Sequence, residues 1–249
     1  MAESRLGRAY RHLYGLLCGR TPHLWPWHFQ WLSSRMIRRA ITQHAAYMNG
    51  ALLDVGCGNQ PYRYLFDGCC SYLGIDLTAN SQARVIADAT VGLPFKNASF
   101  DIALMTQLME YLPHPAETLS DIHRVLRPGG KVILSFPFLY NLHGRYDMVR
   151  FTGQAMDKLF PGFSVCHVER LGGIGSTLAT LGLNWLDTAL NQSFLMRLTR
   201  PLLLPIWLPF CAGVNACAYL LDAIDRVGNS YVNVLVVLEK PTEFSTQKP

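Results

Sequence analysis

Leu53-Asp54-Val55-Gly56-Cys57-Gly58 is the stretch that decides the fold. Ala51 to Val55 is a short apolar run broken by a single acid, the pattern of a strand buried on both faces. The glycines that follow allow a sharp turn and a close approach of backbone to ligand, so this run closes a first strand and opens a helix. Pro61 stands where the third glycine of the dinucleotide pattern G-x-G-x-x-G would fall, which argues against a pyrophosphate ligand.

Outward from this loop the apolar runs recur. Ser71 to Asp76, Arg84 to Ala87, Phe100 to Met105 and Lys131 to Phe136 read as buried strands, Phe163 to Val168 as a sixth, and the β-branched run Tyr231 to Leu238 as the last. Pro115 to Leu126 suits a helix, stopped by the turn Arg127-Pro128-Gly129-Gly130. Strand and helix alternate, which predicts an α/β fold: a doubly wound, mostly parallel, seven-stranded Rossmann-like sheet. Residues 1–48 form a basic, aromatic, helical segment; 49–249 form the α/β domain, with an apolar helical insert at about 171–228 before the last strand.

Half of the 249 residues are hydrophobic and 16% are charged, enough apolar material for a large core. The mean hydropathy of +0.14 is high for a soluble chain and needs a location. Seven cysteines, with no Cys-x-x-Cys pair, suggest neither a disulfide framework nor a metal site, and point to a reducing, cytoplasmic compartment. No compact apolar segment of the signal-peptide kind follows the basic start. His12, His23, His28 and His44 have no metal-ligand spacing.

The charge is uneven. Residues 1–50 hold seven arginines against Glu3 alone, a net +6, and the rest of the chain carries −1. Arginine with Trp25, Trp27 and Trp31 suits the interface of an anionic membrane; a solvated amphipathic helix is the plainer reading. Basic aromatic segments also bind RNA, but the excess is confined to one short stretch, so no nucleic acid is expected. Leu171 to Leu186 and Pro201 to Leu221 carry no charge, and the second has the length of a membrane span. A single crossing would leave the last strand on the wrong side, and Pro205 and Pro209 argue against one straight helix. A pair of apolar helices that lies on a membrane, covers a pocket or forms a dimer contact fits better; simple extra core is the alternative.

Asp76, at the end of the second strand, suits a ribose diol, a role shared with nicotinamide enzymes; a helix cap is the structural alternative. Several segments taken together are more specific: Ala87-Asp88-Ala89, Leu93-Pro94-Phe95, Ser99-Phe100-Asp101, Glu110-Tyr111-Leu112 and Val125 to Gly130. In this order, from Ala51 to Gly173, the chain resembles the class I S-adenosylmethionine (SAM) dependent methyltransferases, in the broad class that includes the ubiquinone-type enzymes. The resemblance implies SAM as cofactor. Asp54, Gly56, Cys57 and Gly58 match the loop beneath its methionine part, Asp76 with Leu77 the ribose site, Asp88 with Ala89 the adenine site, and Thr106 and Gln107 the fourth-strand end by the methyl donor.

A narrower likeness lies in Gly56 to Arg63 and in Pro137-Phe138-Leu139-Tyr140 followed by His143, Asp147, Arg150, Phe151 and Thr152. These look like methyltransferases associated with cell-surface polysaccharide or glycolipid synthesis. The chain departs at Tyr111, where the class usually has His, and at Gly144-Arg145-Tyr146, where Pro commonly precedes the Asp; both bear on the substrate rather than on SAM.

Methyl transfer is an in-line displacement, so alignment supplies much of the acceleration, about 7–11 kcal/mol. A hydroxyl acceptor also needs a base. His143, after the fifth strand, is the first candidate, since imidazole titrates near neutrality. Asp147 would orient it or replace it; Glu110 and Tyr140 are further candidates. Arg150 would pair either an anionic substrate or a local acid. The expected substrate is a small molecule, sugar or lipid-linked acceptor methylated at oxygen, at the cytoplasmic face of a membrane. The alternatives are an inactive SAM-fold scaffold, a nicotinamide oxidoreductase and an RNA methyltransferase.

Overall fold

The computed structural model describes residues 5–18, 22–79, 81–152, 155, 159–160, 162–192 and 194–242. Strands form where the apolar runs place them: β1 (Ala51–Val55), β2 (Ser71–Asp76), β3 (Val85–Ile86), β4 (Phe100–Thr106), β5 (Leu126–Pro137), β6 (Ser164–Leu171) and β7 (Asn233–Glu239). They make one sheet of order β3-β2-β1-β4-β5-β7-β6. The first five in that order are parallel, and β7 runs antiparallel to β5. Strand order reverses between β1 and β4, so the crevice outside their carboxyl ends is the expected ligand site. The helices are α1 (Arg5–Cys18), α2 (Trp31–Ala45), α3 (Pro115–Val125), α4 (Ile174–Gln192) and α5 (Phe194–Ile224). Two compact units divide the chain: Met1–Arg38, Leu139–Asn141 and Leu171–Val232 make one, and Arg39–Phe138, Leu142–Arg170 and Asn233–Pro249 the other.

The second unit holds the sheet. Leu52, Leu53, Ile102, Leu104, Ile133 and Leu238 are among its fully buried residues, as continuous apolar strands require. Helix α3 begins on Pro115, whose missing N–H costs nothing in a first turn, and lays Leu119, Ile122 and Val125 into the core. It stops where expected, but Arg127 to Gly130 do not leave the sheet as a free turn. β5 already starts at Leu126. Leu126 pairs with Phe100 of β4, and a distant partner carries the strand on through the glycines: Gly129 N–H donates to the Lys240 carbonyl and Lys240 N–H to the Gly130 carbonyl, both at 2.8 Å. Lys240 Nζ also donates to the carbonyls of His123 and Leu126 at 2.8 Å, capping the end of α3.

The first unit is helical. The two uncharged stretches become α4 and α5, which pack closely: a Cβ on Gly175 would lie 2.2 Å from the Ala218 carbonyl. Asp222 and Asp225, at the end of α5, accept the free N–H groups of Ser176 and Ile174, both at 2.9 Å. α5 runs through Pro205 and Pro209 as one continuous 31-residue element. Pro201, Pro205 and Pro209 recur every four residues, so the carbonyls they deprive of donors fall along one side; Pro205 and Pro209 are exposed. Asn215 ties α5 to the tryptophan-rich segment, donating to the carbonyls of Pro26 (2.7 Å) and His28 (3.0 Å). Arg200 is buried, pairs with Asp187 and lies 4.4 Å over the Tyr10 ring. Leu202–Ile224 is long and apolar enough to cross a membrane by length and composition.

Candidate active site

The loop after β1 is held by backbone bonds to β2. Gly56 N–H and Cys57 N–H both donate to the Ile75 carbonyl, at 2.9 and 3.1 Å. Gly56 and Gly58 have φ of +70° and +48°, the left-handed region that glycine enters without cost. Gly58 N–H reaches Asp76 Oδ2 at 2.9 Å, and Thr78 N–H reaches Asp76 Oδ1 at 2.8 Å. A Cβ on Gly56 would sit 2.9 Å from the Leu108 side chain, so the loop closes against the segment after β4.

These pieces line a cleft of about 150 Å³, partly open to solvent. Its lining includes Gly56, Asp76, Leu77, Asp88 and Ala89, five of the residues the sequence singles out for the cofactor. Asp88 Oδ1 accepts Thr90 N–H at 2.8 Å and its hydroxyl at 2.7 Å, bonds that hold this carboxyl below the usual carboxylate range. Ala89 is braced by Thr118 Oγ1 of α3, 3.4 Å from its carbonyl. Arg124 of the same helix donates to the carbonyls of Leu93 (2.9 Å) and Phe95 (2.7 Å), fixing the Leu93-Pro94-Phe95 turn.

Asp54, Cys57, Gly58, Thr106 and Gln107 do not line the cleft. Asp54 is buried at the end of β1, accepts the Tyr72 hydroxyl, and keeps Oδ1 without a partner. Burial pushes its carboxyl up to about 7, opposed by the Tyr72 bond and reinforced by the Asp76 charge. Cys57 is buried and its thiol is pushed up to about 11, mainly by burial, so it packs rather than reacts. Gln107 has φ +51°, with its N–H on the Ser135 carbonyl at 2.7 Å and its side chain 3.3 Å from Ser135 Oγ.

Glu110, His143, Asp147 and Arg150 come together, whereas Tyr140 belongs to the other unit. Glu110 is buried in the turn Met109–Tyr111, with Oε2 unpartnered. Burial pushes it up to about 7; Asp147 adds to the shift, while its own backbone and Arg150 oppose it. Asp147 is held below its usual range by Arg150, which makes two bonds to it, one of 2.7 Å. Asp147 also accepts the backbone N–H of His143 at 2.7 Å. It thus fixes the His143 main chain, while the His143 residue is exposed. Arg150 is spent on this local pair. Tyr140 belongs to the helical unit, 3.4 Å from Asn184 Oδ1.

Leu108, Tyr111 and Leu112 also line the cleft. Their signal in the sequence is an apolar run, Leu108 to Leu112, after β4. Gly74 is a second unforeseen residue: a Cβ there would lie 2.6 Å from Cys57 Sγ and 2.7 Å from Gln60 Nε2. A glycine inside a strand pattern marks such a close approach.

Residues 53–134 match a family model described as a methyltransferase domain. An uncharacterized methyltransferase of Mycobacterium avium is 29% identical over 109 residues, which cover 39% of this chain and 43% of that protein. The chain therefore spans less than half the length of such curated relatives. Among solved structures, the [4+2]-cyclase SpnF has a TM-score of 0.57 at 20% identity, over 85% of this chain and 83% of its own. A Haemonchus contortus phosphoethanolamine N-methyltransferase 2, solved with S-adenosylhomocysteine, has a TM-score of 0.55 at 16% identity, over 94% of this chain and 60% of its own. Sheet order, glycine loop and family match agree: residues 53–134 match a methyltransferase domain, and the sheet has the class I SAM-dependent methyltransferase fold.

Proposed function

We propose that the chain transfers the methyl group of SAM to the hydroxyl of a small-molecule, sugar or lipid-linked acceptor. The observation that carries this reading is the cleft, which sets Asp76 and Asp88 among the apolar residues Leu77, Leu108 and Leu112 at the switch point of the sheet. The residues fit an adenosyl ligand. Asp76 keeps lone pairs for a ribose diol while it holds Gly58, and Asp88 offers an acceptor to an adenine amine. Asp54 Oδ1 is an orphaned buried acceptor beneath the loop and outside the cleft lining, so Asp54 supports the loop rather than the ligand.

When bound, SAM supplies a methyl group made electrophilic by its sulfonium. The chain supplies position and a proton acceptor. The candidate base is Glu110, beside the lining residue Tyr111: burial raises its carboxyl to about 7, matched to proton abstraction at neutral pH, and taking the hydroxyl proton requires its buried Oε2 to open to the bound acceptor. His143 is the weaker base, because no side chain orients its ring through Asp147. Tritium-labelled SAM, incubated with polar-lipid and glycolipid extracts, tests the reading. Label should enter an acceptor fraction, and Glu110→Gln should abolish transfer while leaving S-adenosylhomocysteine binding intact.

A second reading is a SAM-fold binding protein without methyl transfer. The [4+2]-cyclase among the fold neighbours favours it, since a cyclase shares this fold. Bound adenosyl ligand with no label in any acceptor would decide for it.

The narrower likeness supports a polysaccharide or glycolipid precursor as acceptor. Peripheral contact with the cytoplasmic face of a membrane goes with it. The motive is the exposed apolar row Leu202, Ile206, Phe210, Leu220 and Ile224 on α5, together with the +6 N-terminal segment. Flotation with anionic vesicles at low and high salt tests this; failure to float at low salt removes it.

A further inference from the structure

Strand β6 is an edge of the sheet, at the end opposite β3. Its residues His167 and Glu169 are two apart and so share a face. The last turn of α2 brings His44 to the same place. One ligand atom from each of the three lies within 4.8 Å of the others. The imidazoles of His44 and His167 have centroids 4.8 Å apart and planes inclined by 51°. His167 Nε2 is 3.8 Å from Glu169 Oε2, and His44 Nε2 is buried with no hydrogen-bond partner.

We propose that His44, His167 and Glu169 form a zinc site that fastens the end of α2 to the edge strand β6. Two imidazoles and one carboxylate are a borderline donor set that suits Zn²⁺. Zinc bonds of about 2.0–2.1 Å put neighbouring ligand atoms of a tetrahedral site roughly 3.3 Å apart, so the trio must draw in by about 1.5 Å. The His167 and Glu169 side chains are 45% and 35% exposed, free to turn that far without disturbing the core. Water completes the fourth position. The orphaned His44 nitrogen gains a partner, and an edge strand with mostly exposed residues gains an anchor. The role is structural: the cofactor cleft is built on the β1–β2–β3 side of the sheet. His44 is far in sequence from His167 and Glu169, so the three-ligand site exists only in the folded state and the ion binds that state.

The test uses the full chain without a histidine tag, stripped with chelator and titrated with Zn²⁺ by calorimetry, then with Co²⁺ by absorption. One equivalent should bind, melting temperature should rise, and Co²⁺ should give visible ligand-field bands without a thiolate charge-transfer band. His44→Ala, His167→Ala and Glu169→Gln should each weaken binding roughly tenfold or more. Glu169→Gln changes one half-exposed side chain and keeps the test valid if a histidine variant misfolds. Cys166→Ser should leave binding unchanged, since adjacent residues of a strand face opposite ways. No binding, a thiolate band, or equal affinity in Glu169→Gln and the parent would overturn the proposal.

Discussion

The backbone N–H of Gly58 donates to Asp76 Oδ2 at 2.9 Å, so one carboxylate holds the glycine loop and lines the cleft. Removing it acts twice. Asp76→Ala should weaken S-adenosylhomocysteine binding about 10–100-fold, the equivalent of about 1.5–3 kcal/mol for hydrogen bonds to a charged group. Asp76→Asn keeps one acceptor oxygen and should lose less. Calorimetry on both variants checks this; equal affinity in Asp76→Ala and the parent would remove Asp76 from the cofactor site.

Glu110 makes stability depend on pH. Its folded value of about 7 lies above the ordinary 4.5, so the folded state favours the protonated acid. That contribution is complete below about pH 4.5 and is lost as pH rises through 7. Glu110→Gln stays neutral throughout. Between pH 5 and pH 8 it should lose roughly 2–3 kcal/mol less stability than the parent. Urea unfolding of both proteins at the two pH values measures the difference. Asp54, raised for the same reason, contributes with the same sign in both.

Asp147 and His143 should separate under substitution. Asp147 is buried, and Asp147→Ala strands the Arg150 charge and frees the His143 main chain, at a cost of about 3–5 kcal/mol. His143→Ala changes an exposed side chain and should leave thermal stability within about 0.5 kcal/mol. It should also slow methyl transfer by less than the ~10²-fold that loss of a general base costs. A larger fall in kcat at unchanged stability would return the base role to His143.

Gly74 lies beneath the loop, and Gly74→Ala pushes a methyl into Cys57 and Gln60. Overpacking of this kind costs about 1–3 kcal/mol. The loop it displaces carries Gly56 and Gly58, so cofactor affinity should fall with stability. A melting curve and a S-adenosylhomocysteine titration on the same preparation test both effects.

The sheet was legible because its parallel strands are buried on both faces and so read as unbroken apolar runs, as in β1 and β4. The cofactor side was legible because loop glycines and strand-end acids are scarce and carry chemistry, as at Gly56, Asp76 and Asp88. Other features depend on partners far along the chain. β5 takes in Gly129 and Gly130 because Lys240 pairs with them, and no local pattern contains Lys240. α5 continues through Pro205 and Pro209 although each proline removes a local donor. Leu108 and Leu112 stand at the wall of the cleft, and composition alone does not separate burial beside a ligand from burial in a core. His44 meets His167 only once helix and edge strand are folded, which no ligand spacing along the chain reveals.

The most direct test of the central claim is calorimetric titration of the folded full chain with S-adenosylhomocysteine, beside a titration with NADH. The account predicts saturable binding of the adenosyl ligand and none of NADH. Absence of S-adenosylhomocysteine binding in demonstrably folded protein, or binding of NADH alone, would contradict it.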